Sequence, residues 1–385
     1  MATLLWVSIA LIVYTYAGYP VLVALLSKLR KRPTCPVANV MPHSVSILIA
    51  AFNEESTIQR RVQELVDSLE DIPANKEIIL VSDGSTDNTA ELARAVGNKM
   101  VQVIELGQNT GKSAAIARAR DIAVGEVLVF ADARQSWRKD AMRNLLARFS
   151  DPTIGAVGGE LVLSTSDGVS GGIGLYWTYE KWIRRSESRL HSTVGVSGAI
   201  AAVRRELYRP PAAGTVLDDV YWPLLVVMQG RRVAFEENAL AFDSLPVNPC
   251  EEFSRKVRTL AGNFQLAALL PSALVPVMNP ICWQFWSHKM LRLLAPWALI
   301  AILISSAILA GPLYRLLFAS QAVFYGCAVL GLMSRNRIPN KLLSLAGSFV
   351  LLNAAAIAGF WIWVTGRTAQ SWRKTTYRPD TGVSQ

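Results

Sequence analysis

Three short apolar runs in this chain each end in a turn that carries carboxylates. Residues 44–50 (SVSILIA) lead into Ala51, Phe52, Asn53, Glu54 and Glu55. Residues 77–81 (EIILV) lead into Ser82-Asp83-Gly84-Ser85-Thr86-Asp87, and residues 126–131 (EVLVFA) into Asp132-Ala133-Arg134. A single Asp in such a place is usually a turn former or a helix cap. Several together can accept hydrogen bonds from a base edge or a ribose hydroxyl, or hold Mg2+ or Mn2+ against a diphosphate. A further pair, Asp218-Asp219, precedes an apolar stretch containing Val220, Trp222, Pro223 and Leu224. The plain reading is a charge pair favoured at a helix N-terminus; the chemical reading is a general base beside a second acid. Arg255-Lys256-Val257-Arg258 suits a solvated basic face, a lipid anchor or a diphosphate clamp, since guanidinium matches phosphate oxygens bidentately. Residues 107–113 (GQNTGKS) have three residues between the glycines where a P-loop needs four. They make either a plain turn or a loop that offers Lys112 and backbone amides to a phosphate at a helix N-terminus.

The elements that must position these residues follow from periodicity. β-branched and apolar runs ending in Gly, Asp, Ser and Asn read as buried parallel strands, and in open α/β sheets ligands bind beyond their carboxyl ends. Ile58, Val62, Leu65, Val66 and Leu69 form one helical face after the first strand. A short helix through Leu92, capped by Thr86 or Asp87, follows the second. A third strand at 101–106 precedes an Ala/Arg-rich helix at 112–122. The alternation predicts a parallel sheet with right-handed crossovers. Beyond Ser150 the rhythm is irregular, and Gly158-Gly159-Glu160, Gly171-Gly172 and Gly174 are expected in loops. An aromatic amphipathic stretch at 176–190 and a Pro-rich stretch at 204–214 come before Asp218.

Composition sets the surroundings. With 51% hydrophobic residues and a mean hydropathy of +0.29, the 385-residue chain is too apolar for an ordinary soluble protein. The net charge of +10 lies largely beside apolar segments, at Lys28, Arg30, Lys31 and Arg32 and at Arg367, Arg373 and Lys374. Basic flanks mark the cytoplasmic ends of membrane helices, which argues against nucleic acid as a partner. Residues 2–26 read as an uncleaved anchor rather than a signal peptide, because the charges follow the apolar run. Residues 291–309, 313–333 and 342–364 are long enough to span, whereas 264–286, broken by Pro271, Pro276 and Pro280, reads as interfacial. Three crossings after a cytoplasmic domain would leave the basic tail outside, against the positive-inside rule. Either 264–286 also crosses or the last segment does not. The cysteines (Cys35, Cys250, Cys282, Cys327) form no C-x-x-C pair, and with three histidines an imidazole metal site is not expected. A transporter would need more spans with polar residues inside them.

In this order, AAFNEE, VSDGSTDNT, GQNTGKSAA, FADAR, LDDVYWPL and RKVRTLAGN resemble the membrane-integrated family 2 glycosyltransferases, relatives of hyaluronan, chitin, cellulose and poly-N-acetylglucosamine synthases and of ceramide glucosyltransferase. The resemblance covers about residues 42–265, and its first two motifs are the most specific. It implies a GT-A fold, an α/β Rossmann-like and mainly parallel sheet with flanking transmembrane helices, and inverting transfer from a nucleoside diphosphate sugar, commonly UDP. By that carry-over Ala51, Phe52, Asn53, Glu54 and Asp83 hold the nucleoside, Lys112 lies near the nucleotide, and Asp132 ligates Mg2+ or Mn2+. Asp219, with Asp218 beside it, is the base for the acceptor hydroxyl; Arg255 and Arg258 face the diphosphate; Ser197 and Gly198 form the acceptor-side turn. Two departures stand out. The D-x-D motif is Asp132-Ala133-Arg134, so a cation replaces one carboxylate and Arg134 becomes a candidate diphosphate contact. The Q-x-x-R-W segment is Arg255-Lys256-Val257-Arg258-Thr259, without the tryptophan of processive synthases.

The expected organisation is an anchor at 1–28, a cytoplasmic GT-A domain at 42–262, an interfacial segment at 263–289, transmembrane helices at 290–366 and a basic tail at 367–385. The expected activity is polysaccharide synthesis at the cell's inner or plasma membrane, exported by a partner or homo-oligomer. Single transfer to a lipid-linked acceptor, or an inactive nucleotide-binding scaffold, are its rivals.

Overall fold

A computed structural model describes residues 1–29, 41–164, 171–244, 249–333 and 341–367. The basic residues Arg30, Lys31, Arg32, Arg373 and Lys374, and Cys35, lie outside them.

Eight strands form one mixed sheet: β1 Ser44–Ala51, β2 Asn75–Asp83, β3 Val101–Leu106, β4 Val127–Asp132, β5 Ser136–Trp137, β6 Ile154–Ser164, β7 Ile200–Arg204 and β8 Arg232–Ser244. Their order is β3-β2-β1-β4-β7-β6-β8-β5. The first four are parallel, as the strand–helix alternation predicts, while β7 runs antiparallel between β4 and β6. Asp83 and Asp132 are the last residues of β2 and β4, so the sheet delivers both carboxylates to one rim.

The alternation of side chains along β1 divides the core in two. Val45, Ile47 and Ile49 face the helix Ile58–Leu69, whose Ile58, Val62, Leu65 and Leu69 are fully buried. Leu48, with Ile79, Val81, Leu128 and Phe130, faces the helices Lys112–Ile122 and Asp218–Met228. Truncating a fully buried leucine such as Leu65 to alanine typically costs 2–5 kcal/mol, so this packing fixes the rim from below.

Several elements differ from their sequence patterns. Gly158 and Gly159 lie within β6 rather than a loop: a Cβ on Gly158 would meet Val196 Cβ at 2.8 Å, and one on Gly159 the Ala239 carbonyl at 2.5 Å. These glycines permit close packing, which a turn signal does not distinguish. Gly171, Gly172 and Gly174 open the helix Gly171–Leu190. The short helix after β2 is Thr89–Arg94, and Asp87 Oδ1 accepts from the Thr89 amide.

Among the described residues, four helices are long and apolar enough to cross a membrane: Ala2–Leu29, Cys282–Ile308, Pro312–Met333 and Leu342–Val364. The expected interfacial segment 263–289 is not one unit. Its first residues complete the helix Pro249–Leu269, and a turn at Pro271–Leu274 follows. From Cys282 it is already the next long helix. The prolines interrupt only the connection between the two helices.

Candidate active site

The first two acidic turns are locked to each other. Asn53, at φ 54°, accepts at Oδ1 from the Thr86 amide, and its own amide donates to Ser85 Oγ. The Glu54 amide donates to Thr89 Oγ1 and the Glu55 amide to Asp87 Oδ2. Ala51 is buried beneath, whereas the Phe52 ring is exposed at the rim. Gly84 sits at φ +69°, and a Cβ there would meet Asn109 N at 2.4 Å, so the 107–111 loop rests directly on the second turn.

Asp83 explains that loop. Its Oδ1 accepts from Thr110 N at 2.7 Å and Thr110 Oγ1 at 2.8 Å, and its Oδ2 accepts from Gly111 N at 2.8 Å. The amides that a P-loop reading would offer to a phosphate are thus turned to a buried carboxylate. The loop's product is the placement of Lys112, the first residue of its helix, whose Nζ lies 2.6 Å from Asp132 Oδ1. Burial alone would lower the Lys112 pKa, but the Asp132, Asp218 and Asp219 charges hold it above the ordinary range.

Lys112 and the Asp218-Asp219 pair meet across Gly198. A Cβ there would lie 3.3 Å from Lys112 Nζ and 3.9 Å from Asp219 Cβ, so Gly198 stands between the two side chains. The turn is held by the Asp219 carbonyl, which accepts from Val196 N at 2.9 Å, while Ser197 bridges to Ile200. Burial, reinforced by the Asp218 charge and opposed by Lys289, Lys112 and Arg184, pushes the Asp219 pKa up to about 6. That places a carboxylate where it is ionised at neutral pH yet basic enough to take a proton.

Arg134 is engaged elsewhere. Its guanidinium forks onto Asp243 of β8, Nε to Oδ1 at 3.1 Å and Nη2 to Oδ2 at 2.9 Å. A carboxylate far along the sequence thus supplies one partner of this candidate diphosphate contact. Arg255 and Arg258 are half-buried on the helix Pro249–Leu269, with Thr259 exposed beside them.

Asp132, at the end of β4, is the carboxylate that the resemblance assigns to a divalent cation. Among the described residues no three His, Cys, Asp or Glu side chains gather into a metal-ligating group. The donor set fits an ion that takes its remaining oxygens from phosphate and water, as Mg2+ commonly does.

Two features escape the sequence patterns. Arg61, on the apolar face of the helix Ile58–Leu69, is fully buried. It donates from Nε to the Asp132 carbonyl at 3.1 Å, pairs with Glu64 at 2.6 Å and stacks over Trp137 at 4.6 Å. Burial, only partly offset by Glu64 and Asp132, pushes its pKa down to about 10. An arginine at a position where the 3.6-residue period demands an apolar side chain is a legible signal. The second feature is a cavity of about 110 Å3 beside Asp219, lined also by Arg184, Thr259, Asn263, His288 and Lys289. No spacing in the sequence links these residues.

Residues 46–210 match the model of the glycosyl transferase family 2. The chain carries a glycosyl transferase family 2 domain. It is 25% identical over 257 residues to the poly-beta-1,6-N-acetyl-D-glucosamine synthase of Staphylococcus aureus, covering 62% of this chain and 58% of the relative. It is likewise 25% identical over 229 residues to the synthase of that name from Staphylococcus epidermidis, covering 58% of this chain and 55% of the relative. The chain therefore matches little more than half the length of these curated relatives. Among solved structures it resembles the mannosyltransferase PcManGT from Pyrobaculum calidifontis in complex with GDP-Man and Mn2+. The TM-score is 0.71 at 22% identity, over 94% of this chain and 99% of the other. The family 2 domain thus has the GT-A-like mixed sheet, and the similarity extends over the apolar helices.

Proposed function

We propose that the protein is a membrane-bound, inverting glycosyltransferase that moves a sugar from a nucleoside diphosphate sugar, UDP-linked as first candidate, to a hydroxyl of a growing polysaccharide. One observation carries the reading: a carboxylate with its pKa near 6, Asp219, faces the Lys112–Asp132 pair across Gly198. A base on one side and a cation on the other is what inverting transfer requires. Asp219 takes the proton of the acceptor hydroxyl as that oxygen bonds to the anomeric carbon. The bond from that carbon to the diphosphate oxygen breaks, and its electron pair leaves with the diphosphate. Lys112 balances the charge that develops there, and Arg255 and Arg258 share that role by the family resemblance. The Asn53–Glu54 and Asp83 turns frame the nucleoside, with the exposed Phe52 ring beside them. When a divalent cation is bound, Asp132 would hold it, and it would supply further charge neutralisation at the diphosphate.

The catalytic domain is assigned to the cytoplasmic face, where nucleotide sugars are made. The packing of the last long helix supports this. A Cβ on Gly359 would meet Ala261 N at 2.8 Å and Val257 O at 3.0 Å, and the Trp363 and Phe264 rings stack at 5.6 Å. The helix Lys341–Val364 thus lies along Pro249–Leu269. That helix in turn rests on the catalytic domain, since a Cβ on Gly262 would meet Leu217 Cγ at 2.8 Å. A segment lying on the domain leaves two crossings after it and returns the basic tail to the cytoplasm, as the positive-inside rule requires.

A second reading, transfer of one or few sugars to a lipid-linked acceptor, is favoured by Thr259, which stands where processive relatives carry tryptophan. Incubating the purified full-length protein in detergent with a panel of nucleotide sugars, and measuring free nucleotide and product size, tests both. Long polymer favours the first reading and short glycolipid the second. Nucleotide binding without turnover of any donor would leave an inactive scaffold.

A further inference from the structure

The cavity beside Asp219 is walled by parts of the chain that converge at the membrane-proximal end of the domain. Arg184 comes from the helix Gly171–Leu190, Thr259 and Asn263 from Pro249–Leu269, and His288 and Lys289 from the start of the long helix Cys282–Ile308. Lys289 reaches the cavity from a π-turn, Trp286–Met290, an irregularity that occurs frequently at functional sites. The same turn lets His288 bridge Glu187 at 2.8 Å and Glu180 at 3.0 Å, which fixes the backbone on which Lys289 stands.

The cations of this cavity feel Asp219, and Lys289 also Glu180, through space, without a direct ion pair to either. Arg184 and Lys289 both line it, and neither makes an ion pair among the described residues. The Asn263 side chain is 5% exposed; its amide nitrogen donates to the Thr259 carbonyl, yet its Oδ1 has no hydrogen-bond partner. A buried acceptor left unsatisfied costs about 1–3 kcal/mol, so a donor from outside the chain is expected there. Two cations and an open acceptor around a space of about 110 Å3 suit a group that is anionic and also carries a hydroxyl.

We propose that this cavity is a subsite for an acidic acceptor: a phosphate or carboxylate group sits between Arg184 and Lys289 and presents a neighbouring sugar hydroxyl to Asp219. The proposal rests on the glycosyltransferase reading above and narrows its acceptor to acidic ones. The anionic group belongs either to a lipid-linked sugar phosphate at the membrane interface or to a soluble acidic sugar. The shared chemistry is an oxyanion held by guanidinium and ammonium.

The test uses the full-length protein in phosphatidylcholine nanodiscs with the nucleotide sugar it turns over. Two matched acceptor pairs are compared: N-acetylglucosamine 6-phosphate against N-acetylglucosamine, and polyprenyl-diphosphate-linked N-acetylglucosamine against octyl N-acetylglucosaminide. Charge-assisted hydrogen bonds predict kcat/KM at least ~10-fold higher for the acidic member of one pair, and which pair responds identifies the source of the anion. Arg184→Gln and Lys289→Gln should each cut that ratio by about 10-fold, and Arg184→Lys should retain most of it, which separates charge recognition from misfolding. Equal use of acidic and neutral acceptors overturns the proposal. So does an acidic preference that survives the double variant, or donor hydrolysis without transfer to any acidic member. Failure to turn over any nucleotide sugar overturns the glycosyltransferase reading and this proposal with it.

Discussion

Replacing Asp218 by Asn should move the acid limb of the pH–rate profile to lower pH, because Asp218 is one of the charges that raise Asp219. Burial and the Asp218 carboxylate push Asp219 up to about 6. At that value about 90% of Asp219 is ionised at pH 7 and about 10% at pH 5, so kcat for a base-dependent step should fall nearly 10-fold between them. Removing a like charge from the adjacent residue should lower the Asp219 pKa by about one pH unit. The ratio of kcat at pH 5 to kcat at pH 7 should then rise about fivefold, whatever happens to the absolute rate. Asp219→Asn should cut turnover by at least ~10²-fold while leaving donor binding nearly intact. Stability supplies an independent sign. A carboxyl whose folded pKa is raised favours the fold most when protonated, below its ordinary value near 4, and loses that contribution as pH rises through about 6. Asp219→Asn, neutral at every pH, should therefore have a higher Tm than the wild type at pH 7.5 and an equal one below pH ~4. Steady-state kinetics and thermal unfolding across pH 4–8 read both effects. An acid limb that stays in place in Asp218→Asn, or near-normal turnover in Asp219→Asn, would refute the assignment of the base.

Asp132→Ala should raise the donor KM by at least ~10-fold and abolish any stimulation by Mn2+ or Mg2+, since Asp132 is the carboxylate proposed to hold the hard cation. Full activity after chelation would remove the metal and leave Lys112 to carry the charge. Arg61→Met should lower stability by about 1.5–3 kcal/mol because half-buried Glu64 loses its charge-assisted hydrogen bond, and Arg61→Met with Glu64→Gln should recover part of the loss. A double variant as unstable as the single one would show that the ion pair is not the cause. A reporter fused after residue 385 should be found on the same side of the membrane as the catalytic domain. Protease protection in sealed vesicles decides it, and opposite sides would mean that Lys341–Val364 crosses.

The parts of the site that were legible in the sequence are those built by local chain geometry. Asp83 and Asp132 were placed at strand ends because an apolar run followed by an acidic turn has one simple meaning in a parallel sheet. Ile58, Val62, Leu65 and Leu69 announced a buried helix face by spacing alone. The pairing of Arg134 with Asp243 is not legible, because Asp243 lies 109 residues away on β8 and no local rule pairs those strands with the rim. Gly158 and Gly159 were read as loop glycines because the sequence shows a missing Cβ without showing Val196 and the Ala239 carbonyl, which occupy the space it would need. The GQNTG pattern leaves a plain turn and a phosphate cradle both open because an amide-rich turn does not reveal which anion it faces; here the Thr110 and Gly111 amides face Asp83.

The connection between membrane and chemistry was the least legible, and it depends on charges buried between elements remote in sequence. Tyr19 of the first long helix donates to Glu187 at 2.5 Å, and Glu187 also meets His288 of Cys282–Ile308. Glu180, two turns earlier on the same helix face, takes His288 and Arg292. Burial would raise the Glu180 pKa, but the Arg292 and His288 charges outweigh it and hold the carboxyl well below the ordinary range. Removing one partner from such a cluster leaves an uncompensated buried charge, which typically costs 3–5 kcal/mol. The first long helix, the helix Gly171–Leu190 and the helix that carries Lys289 are therefore fixed relative to one another. Because Asp219 and Lys289 line the same cavity, the cluster also sets the position of the membrane helices relative to the proposed base. An acceptor arriving from the bilayer surface would thus meet a site whose membrane-side wall is as rigidly placed as its sheet.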